Sequence, residues 1–212
     1  AVSERRNGGA LRTYREASLG YDAAFEGLPD ETHLKGYWQS ERYFLGYEAQ
    51  IRKDLAIVTP PSVQNTEMVA EISACSAVSL HIRRGDYVSN EKFNAAHGTC
   101  DLAYYARAAA FVAERVGEPV IYAFSDDPDW VAAHLKLPFE VRYVGHNDGD
   151  TNYEDLRLMA ACRHHIIANS SFSWWGAWLN PSAEKVVAAP KQWFADPGKV
   201  NPDILPVGWH RV

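Results

Sequence analysis

The sequence is short of cysteine, of methionine and of long apolar runs. Its three cysteines, Cys75, Cys100 and Cys162, are odd in number, far apart and without a C-x-x-C pair, which excludes a disulfide framework and points to a reducing compartment. The longest small-apolar stretch, around Ala108 to Ala113, is far too short for a bilayer span, and the polar start Ala1 to Gly9 lacks a secretory apolar core. The expectation is a soluble or membrane-peripheral protein. Basic residues are in the minority, 21 Lys and Arg against 27 Asp and Glu for a net charge of −6, and none of them form a dense tract. That argues against a nucleic-acid partner and means that an anionic ligand must meet a local basic cluster. Internal repeats and low-complexity tracts are absent as well.

What is present is enough apolar material for a core: 47% of 212 residues, sufficient for one large domain or one and a half ordinary ones. Residues 1 to 35 are polar and Gly-punctuated, without periodicity. Ser40 followed by Glu41 to Leu55 reads as a capped amphipathic helix stopped by Pro60-Pro61. From residue 63 element types alternate: helices over 63–72, 101–116, 128–136, 152–162 and 172–179, strands over 78–82, 119–124, 140–144, 164–168 and 185–189. This βαβ rhythm predicts an α/β fold with a mostly parallel sheet covered by helices on both faces. The tail from Gln192, rich in Pro, Trp and Gly, reads as an irregular wrap.

Three strand ends carry candidate chemistry. The strand ending at His81-Ile82 runs into Arg83-Arg84-Gly85-Asp86, a cationic pair placed for a diphosphate, since a guanidinium fork matches phosphate oxygens two at a time. The ordinary explanation is a solvated turn with Arg84 paired to Asp86, and a cell-adhesion R-G-D loop is a further reading. The strand from His164 leads to Asn169-Ser170-Ser171 and a helix bearing Ser173, Trp174, Trp175 and Trp178. One hydroxyl there is explained as an N-cap, but four small polar side chains at one helix mouth suit a ligand rich in acceptor oxygens. At Ser125-Asp126-Asp127-Pro128, helix initiation accounts for Asp127, leaving Asp126 to accept hydrogen bonds from a base or ribose. In an open α/β sheet such loops converge on one crevice. His164 and His165 are adjacent on a strand, point to opposite faces and cannot share an ion. Asp148-Gly149-Asp150 matches a D-x-D metal pattern, although turn and cap duty also explain it.

HIRRGDYVSN at 81–90, ANSSFSWWGAWLNP at 168–181 and GYWQSERYF at 36–44 together resemble glycosyltransferase family 11, the α-1,2-fucosyltransferases, over roughly residues 36 to 195. The resemblance implies a GT-B-like fold whose Rossmann-like donor half, residues 63–212, holds GDP-fucose without a metal or other cofactor. Residues 1–62 would then be a remnant of the N-terminal, acceptor-side region and a linker helix. The Gly-rich segment with which family members begin has no counterpart in residues 1–35, and the chain opens on Ala rather than Met; both read as a missing or divergent N-terminal part. The resemblance makes Arg83 the diphosphate clamp, with Arg84 shaping its loop. His81 and Asp126 would face the guanosine, and Ser170 and Ser171 the phosphates, with Asn169 and Ser173 in the same helix mouth.

The implied reaction inverts GDP-β-L-fucose into an α-1,2-linked fucoside on the 2-hydroxyl of a galactose-containing glycan acceptor. It calls for a base, for which Asp86 and Glu91 are the candidates, unless a diphosphate oxygen serves. The implied setting is bacterial surface-glycan biosynthesis, cytoplasmic, with peripheral contact at the inner membrane face. Two other classes compete: a metal-dependent glycosyltransferase using Asp148 and Asp150, and a non-catalytic glycan-binding module whose seven tryptophans stack on sugars.

Overall fold

A computed structural model describes residues 12–85, Ala95 and 98–212. These divide into two compact units, one comprising residues 12–48 and 198–206, the other 49–197 and 207–212.

The first unit is held by aromatic rings and short polar ties. Strands β1 (Thr13–Arg15) and β2 (His33–Lys35) pair in parallel. A 3-10 turn over Ala23–Gly27 starts where the Asp22 carboxylate accepts from Ala24 N–H. Phe25, Trp38 and Tyr43 make edge or tilted contacts with centroids 5.1 to 5.8 Å apart. Asp203 accepts from Tyr21 N–H and from Arg42, whose guanidinium also lies over the Tyr21 ring. Neither strand was legible in sequence, because three-residue strands carry no readable period.

The expected helix over 41–55 is two pieces. Ser40 caps as anticipated, accepting from Arg42 N–H, but the turn it opens is a 3-10 helix ending at Phe44. Gly46 then takes φ +88°, a left-handed conformation that ends helical hydrogen bonding, and α1 resumes at Glu48–Asp54. Tyr47 and Leu55, both within the expected amphipathic helix, are exposed.

The second unit is a six-stranded, wholly parallel sheet. Its strands are β3 (Ala77–Ile82), β4 (Val120–Ser125), β5 (Glu140–Val144), β6 (His164–Ile166), β7 (Val187–Ala189) and β8 (His210–Arg211), in spatial order β5-β4-β3-β6-β7-β8. The chain starts at the centre, builds one wing, then crosses back over β3 to build the other. This is the Rossmann order, with the switch point between β3 and β6. The helices are α2 (Val63–Ser73), α3 (Leu102–Val116), α4 (Pro128–His134), α5 (Asn152–Ala161) and α6 (Ser171–Leu179).

Alternation along the strands sends Val78, Leu80, Ile82, Ile121 and Ala123 into one core layer under Tyr105, Ala108 and Val112 of α3. Ala77, Tyr122, Phe124 and Val144 enter the other, under Ile72 of α2 and Leu158 and Met159 of α5. β3 is buried at all six positions, which is why it reads as an unbroken apolar run. Burial of a side chain such as Phe124 stabilises by roughly 1.5–3 kcal/mol. α5 and α6 approach closely: a Cβ added at Gly176 would stand 3.0 Å from the Met159 Cβ.

One buried polar network ties the sheet to the end of α6. Asn180 Oδ1 accepts from Ser182 N–H, so its amide nitrogen faces inward, donating to Cys162 C=O and to His165 Nε2 at 2.9 Å. That leaves Nδ1 of His165 to carry the proton and donate to Ser79 Oγ at 2.8 Å. His164, on the opposite face, accepts from Val186 N–H through Nδ1.

Candidate functional site

A crevice of about 660 Å³ opens at the carboxyl ends of β3, β4, β5 and β6, spanning the switch point. His81 and Arg83 from the β3 end, Ser125 and Asp126 from the β4 end, and Ser170, Ser171 and Phe172 from the β6 end line it. The opposite wall comes from the loop after β5 and the start of α5, including Asn147, Asp148 and Asp155. The expected convergence of three strand ends is therefore present.

Arg83 Nη1 lies 3.0 Å from Asp126 Oδ2, while Asp126 Oδ1 accepts from Arg84 N–H at 2.9 Å. Asp126 thus braces the loop that carries the arginine, and Gly85 is required beside it: a Cβ there would fall 2.4 Å from Asp126 Oδ2. The glycine serves close approach rather than an unusual φ.

Three expected binding residues are placed elsewhere. The Arg84 guanidinium lies 3.4 Å above the Trp130 ring and its Nε is 3.3 Å from Asp127, outside the crevice lining, so the two arginines do not form a paired clamp. A planar cation next to an indole face gains more there than as a second, repelling guanidinium. Asn169 is buried and its amide donates to Gly98 C=O at 3.2 Å and Trp193 C=O at 3.1 Å, fastening two loops. Ser173 is buried and donates to Ser170 C=O within the first turn of α6. Ser170 caps α6, accepting from Phe172 N–H at 3.3 Å, and among the described residues nothing accepts its hydroxyl proton. Asp86 and Glu91 lie outside the described residues.

Asp148 sits at the crevice but accepts from Asp150 N–H, Thr151 N–H and Thr151 Oγ1, bonds that hold its carboxyl below the usual range. This is the turn duty considered for it in the D-x-D reading. Among the described residues no group of three or more His, Cys, Asp or Glu is gathered as metal ligands would be.

Two titrations mark the crevice. Burial lowers the His81 pKa to about 4; nearby Asp126 opposes the shift and Arg83 adds to it, so the ring is neutral at pH 7. Its Nδ1 is buried without a partner among the described residues. Asp155 moves the other way. Burial raises it to about 6, opposed by a bond from Asn147 Nδ2 at 2.7 Å and reinforced by the Glu154 charge. Asn147 is itself held by Asn65, whose Nδ2 donates to Asn147 Oδ1 at 2.9 Å and to Ser62 Oγ at 3.1 Å and whose Oδ1 lies 2.8 Å from His146 Nε2. Sequence reasoning missed Asp155, because an acidic residue in the first turn of a helix is ordinary dipole chemistry.

The comparisons with known proteins follow this geometry. The pattern of glycosyl transferase family 11 matches residues 11–212. The chain belongs to that family. Among its relatives, the alpha-1,2-colitosyltransferase of Escherichia coli is 37% identical over 183 residues, covering 84% of this chain and 61% of that protein. The O-antigen biosynthesis glycosyltransferase WbnK of Escherichia coli is 41% identical over 126 residues, 58% of this chain and 41% of its own length. The galactoside 2-alpha-L-fucosyltransferase of Caenorhabditis elegans is 27% identical over 83% of this chain and 51% of its length. The chain thus spans about half the length of these family 11 relatives.

Proposed function

We propose that this chain is the donor half of a GT-B-like, inverting α-1,2-glycosyltransferase that moves a 6-deoxy-L-sugar from a GDP-activated donor to the 2-hydroxyl of a galactoside. One observation carries the reading: Arg83 from β3 and Ser170 and Ser171 from β6 line a single crevice astride the switch point, with a buried acid, Asp155, on its far wall. The diphosphate sits against Arg83 and the α6 start, where the Ser171 N–H and the two serine hydroxyls donate to it. Asp155 and the neutral His81 meet the base, a carboxylate accepting from adjacent N–H groups and an imidazole offering one donor and one acceptor.

Charge builds on the diphosphate as the glycosidic bond breaks. A fixed guanidinium and helix-start donors stabilise that state more than the bound donor and so lower the barrier. With this charge neutralised by the protein, the reading requires no metal. Asp86 or Glu91 takes the acceptor proton as C–O bond formation proceeds.

GDP-L-fucose is the donor in this reading. The second donor is GDP-activated colitose, favoured by the 37% identity to the colitosyltransferase over most of this chain. The setting is the cytoplasmic side of a bacterial membrane with peripheral contact. None of the described helices is long and apolar enough to cross a bilayer.

The test is calorimetry with GDP, followed by transfer assays with both donors, a galactoside panel and a chelator, using the full-length protein. Binding of GDP with chelator-resistant transfer is expected. Loss of transfer to chelator with recovery in manganese would overturn the metal-free reading, and sugar binding without GDP binding would favour a glycan-binding module.

A further inference from the structure

The acid on the far wall of the crevice is held from behind by a pair of asparagines. Asn147 Nδ2 donates to Asp155 Oδ1 at 2.7 Å and to Asn65 Oδ1 at 3.3 Å, and Asn65 Nδ2 returns a bond to Asn147 Oδ1 at 2.9 Å, so the two amides clasp each other. Asn65 is 2% exposed, does not line the crevice, and sits in the first turn of α2. There Ser62 Oγ accepts from both its backbone N–H and its Nδ2, each at 3.1 Å. The cap of α2 therefore also anchors the pair.

The protons in this chain have a single assignment. An ionised Asp155 can only accept, which turns Asn147 Nδ2 toward it and Asn147 Oδ1 toward Asn65. Asn65 then presents Oδ1 to His146, 2.8 Å away, and puts the imidazole proton on Nε2. All four amide hydrogens are used, and reversing either amide would set like groups against each other.

The charges around Asp155 are otherwise answered. Glu154, buried beside it, accepts from Arg157 Nε at 2.9 Å, and the same guanidinium donates to Ile57 and Thr59 C=O. α6, packed against α5, carries no titratable side chain. On α2 the acid nearest in sequence to Asn65, Glu67, is exposed. In the loop after β5, Asp148 is taken by Asp150 and Thr151, and burial lowers the His146 pKa so that the ring is neutral at pH 7. Across the crevice Arg83 and Asp126 are paired at 3.0 Å. Among the described residues, the hydrogen bond that reaches the Asp155 carboxyl is the one from Asn147.

We propose that Asn65 and Asn147 are positioning residues for the donor: they keep Asp155 ionised and hold its Oδ1, so that Oδ2 is the oxygen offered to the nucleotide base. The inference rests on the donor reading above and adds to it the residues that set the charge of its base-contacting acid. The margin is narrow. Burial carries Asp155 to about 6 against the Asn147 bond, so about nine tenths of it is ionised at pH 7. A hydrogen bond to a charged group corresponds to roughly one pKa unit or more, so its loss would leave no more than about half ionised. Protonation would set an O–H where the N–H groups of a base need an acceptor.

The test uses the full-length protein with Asn65→Ala, Asp155→Asn and the double variant. Carbon-13 NMR of the Asp155 carboxyl in the free protein reads its titration, and calorimetry with GDP between about pH 5.5 and 8.5 reads the consequence. Asn65→Ala should raise the midpoint by about one unit and weaken GDP binding about threefold or more at pH 7. The loss should shrink to within about twofold at pH 8.5 and should not add to that of Asp155→Asn. An unmoved midpoint would overturn the proposal, as would a loss that persists at pH 8.5 or adds in full to Asp155→Asn, the mark of a loosened wall. Should Asn65→Ala fail to fold, the isosteric Asn65→Asp carries the same test: a second carboxylate behind Asn147 should raise the midpoint, and an unmoved one overturns the proposal. Wild-type protein that binds no GDP would instead sink the donor reading, while the NMR midpoints would still decide whether the asparagine pair governs the charge of Asp155.

Discussion

His81 and His165 sit on neighbouring strands of one sheet, on the same face, and are equally buried, yet they have opposite relationships to their surroundings. His165 is matched at both nitrogens, by Ser79 and Asn180. His81, one pleat further along β3, reaches the crevice with Nδ1 unmatched among the described residues. A satisfied buried imidazole fastens a scaffold, whereas one whose hydrogen-bonding capacity is incomplete has room for a ligand. The sheet thus divides along its strands into a part whose buried polar groups are matched and a part at the crevice where one is left unmatched among the described residues.

That division can be broken from either side. The largest effect is expected from Arg83→Ala: a clamp of two charge-assisted bonds is worth about 3–6 kcal/mol, so transfer efficiency should fall on the order of a hundred- to ten-thousandfold. Melting temperature should barely move, and Arg83→Lys should recover little, since an ammonium cannot fork. His165→Ala should do the reverse. Leaving Ser79 and Asn180 unpartnered around a cavity costs about 2–4 kcal/mol in denaturant unfolding, with GDP affinity unchanged in the folded protein. Asp155→Asn should weaken GDP binding by about 1.5–3 kcal/mol, and in the wild type binding should decline as pH drops below about 6, where this carboxylate becomes protonated. His81→Phe is the direct contrast to His165→Ala: stability within about 1 kcal/mol of wild type, with roughly tenfold weaker GDP binding.

The smallest effect is the pH slope of stability. His81 and His165 titrate at about 4 and about 3 when folded, below the ordinary 6.5. Because the unfolded chain then binds more protons, stability is fully present above pH 6.5 and falls as pH drops toward 4, by at most about 1.4 kcal/mol per unit for each group. Asp155, raised to about 6, contributes the opposite sign between 6 and 3.8 and offsets part of the loss. Urea midpoints measured from pH 7 to 4.5 should show a shallower decline in His165→Gln than in wild type.

The sequence made most of the second unit legible because its central strands are buried on both faces. Continuous runs such as Ala77–Ile82 and Val120–Ser125 sit close to their expected bounds. Edges were less readable. The expected strand over 185–189 begins at Val187, the one over 164–168 ends at Ile166, and the two-residue β8 had no signal. In the site, residue type located the strand ends but not the direction of each side chain. Arg83 and Arg84 are indistinguishable as letters, and the indole of Trp130, forty-six positions away, diverts one of them. Asn169 and Ser173 look like ligand donors until the loops and the first turn of α6 claim their bonds. Asp155 stayed hidden because its burial depends on the loop after β5, which no local pattern announces.

The contact between Gly176 and Met159 fixes more than helix packing. In the proposed donor reading α6 carries the phosphate seat at its start and α5 carries Asp155, so with no spare room between the helices the span open to a nucleotide would be set as if by a ruler. A larger residue at position 176 would lengthen that ruler and shift which donors fit, without altering any group that touches them.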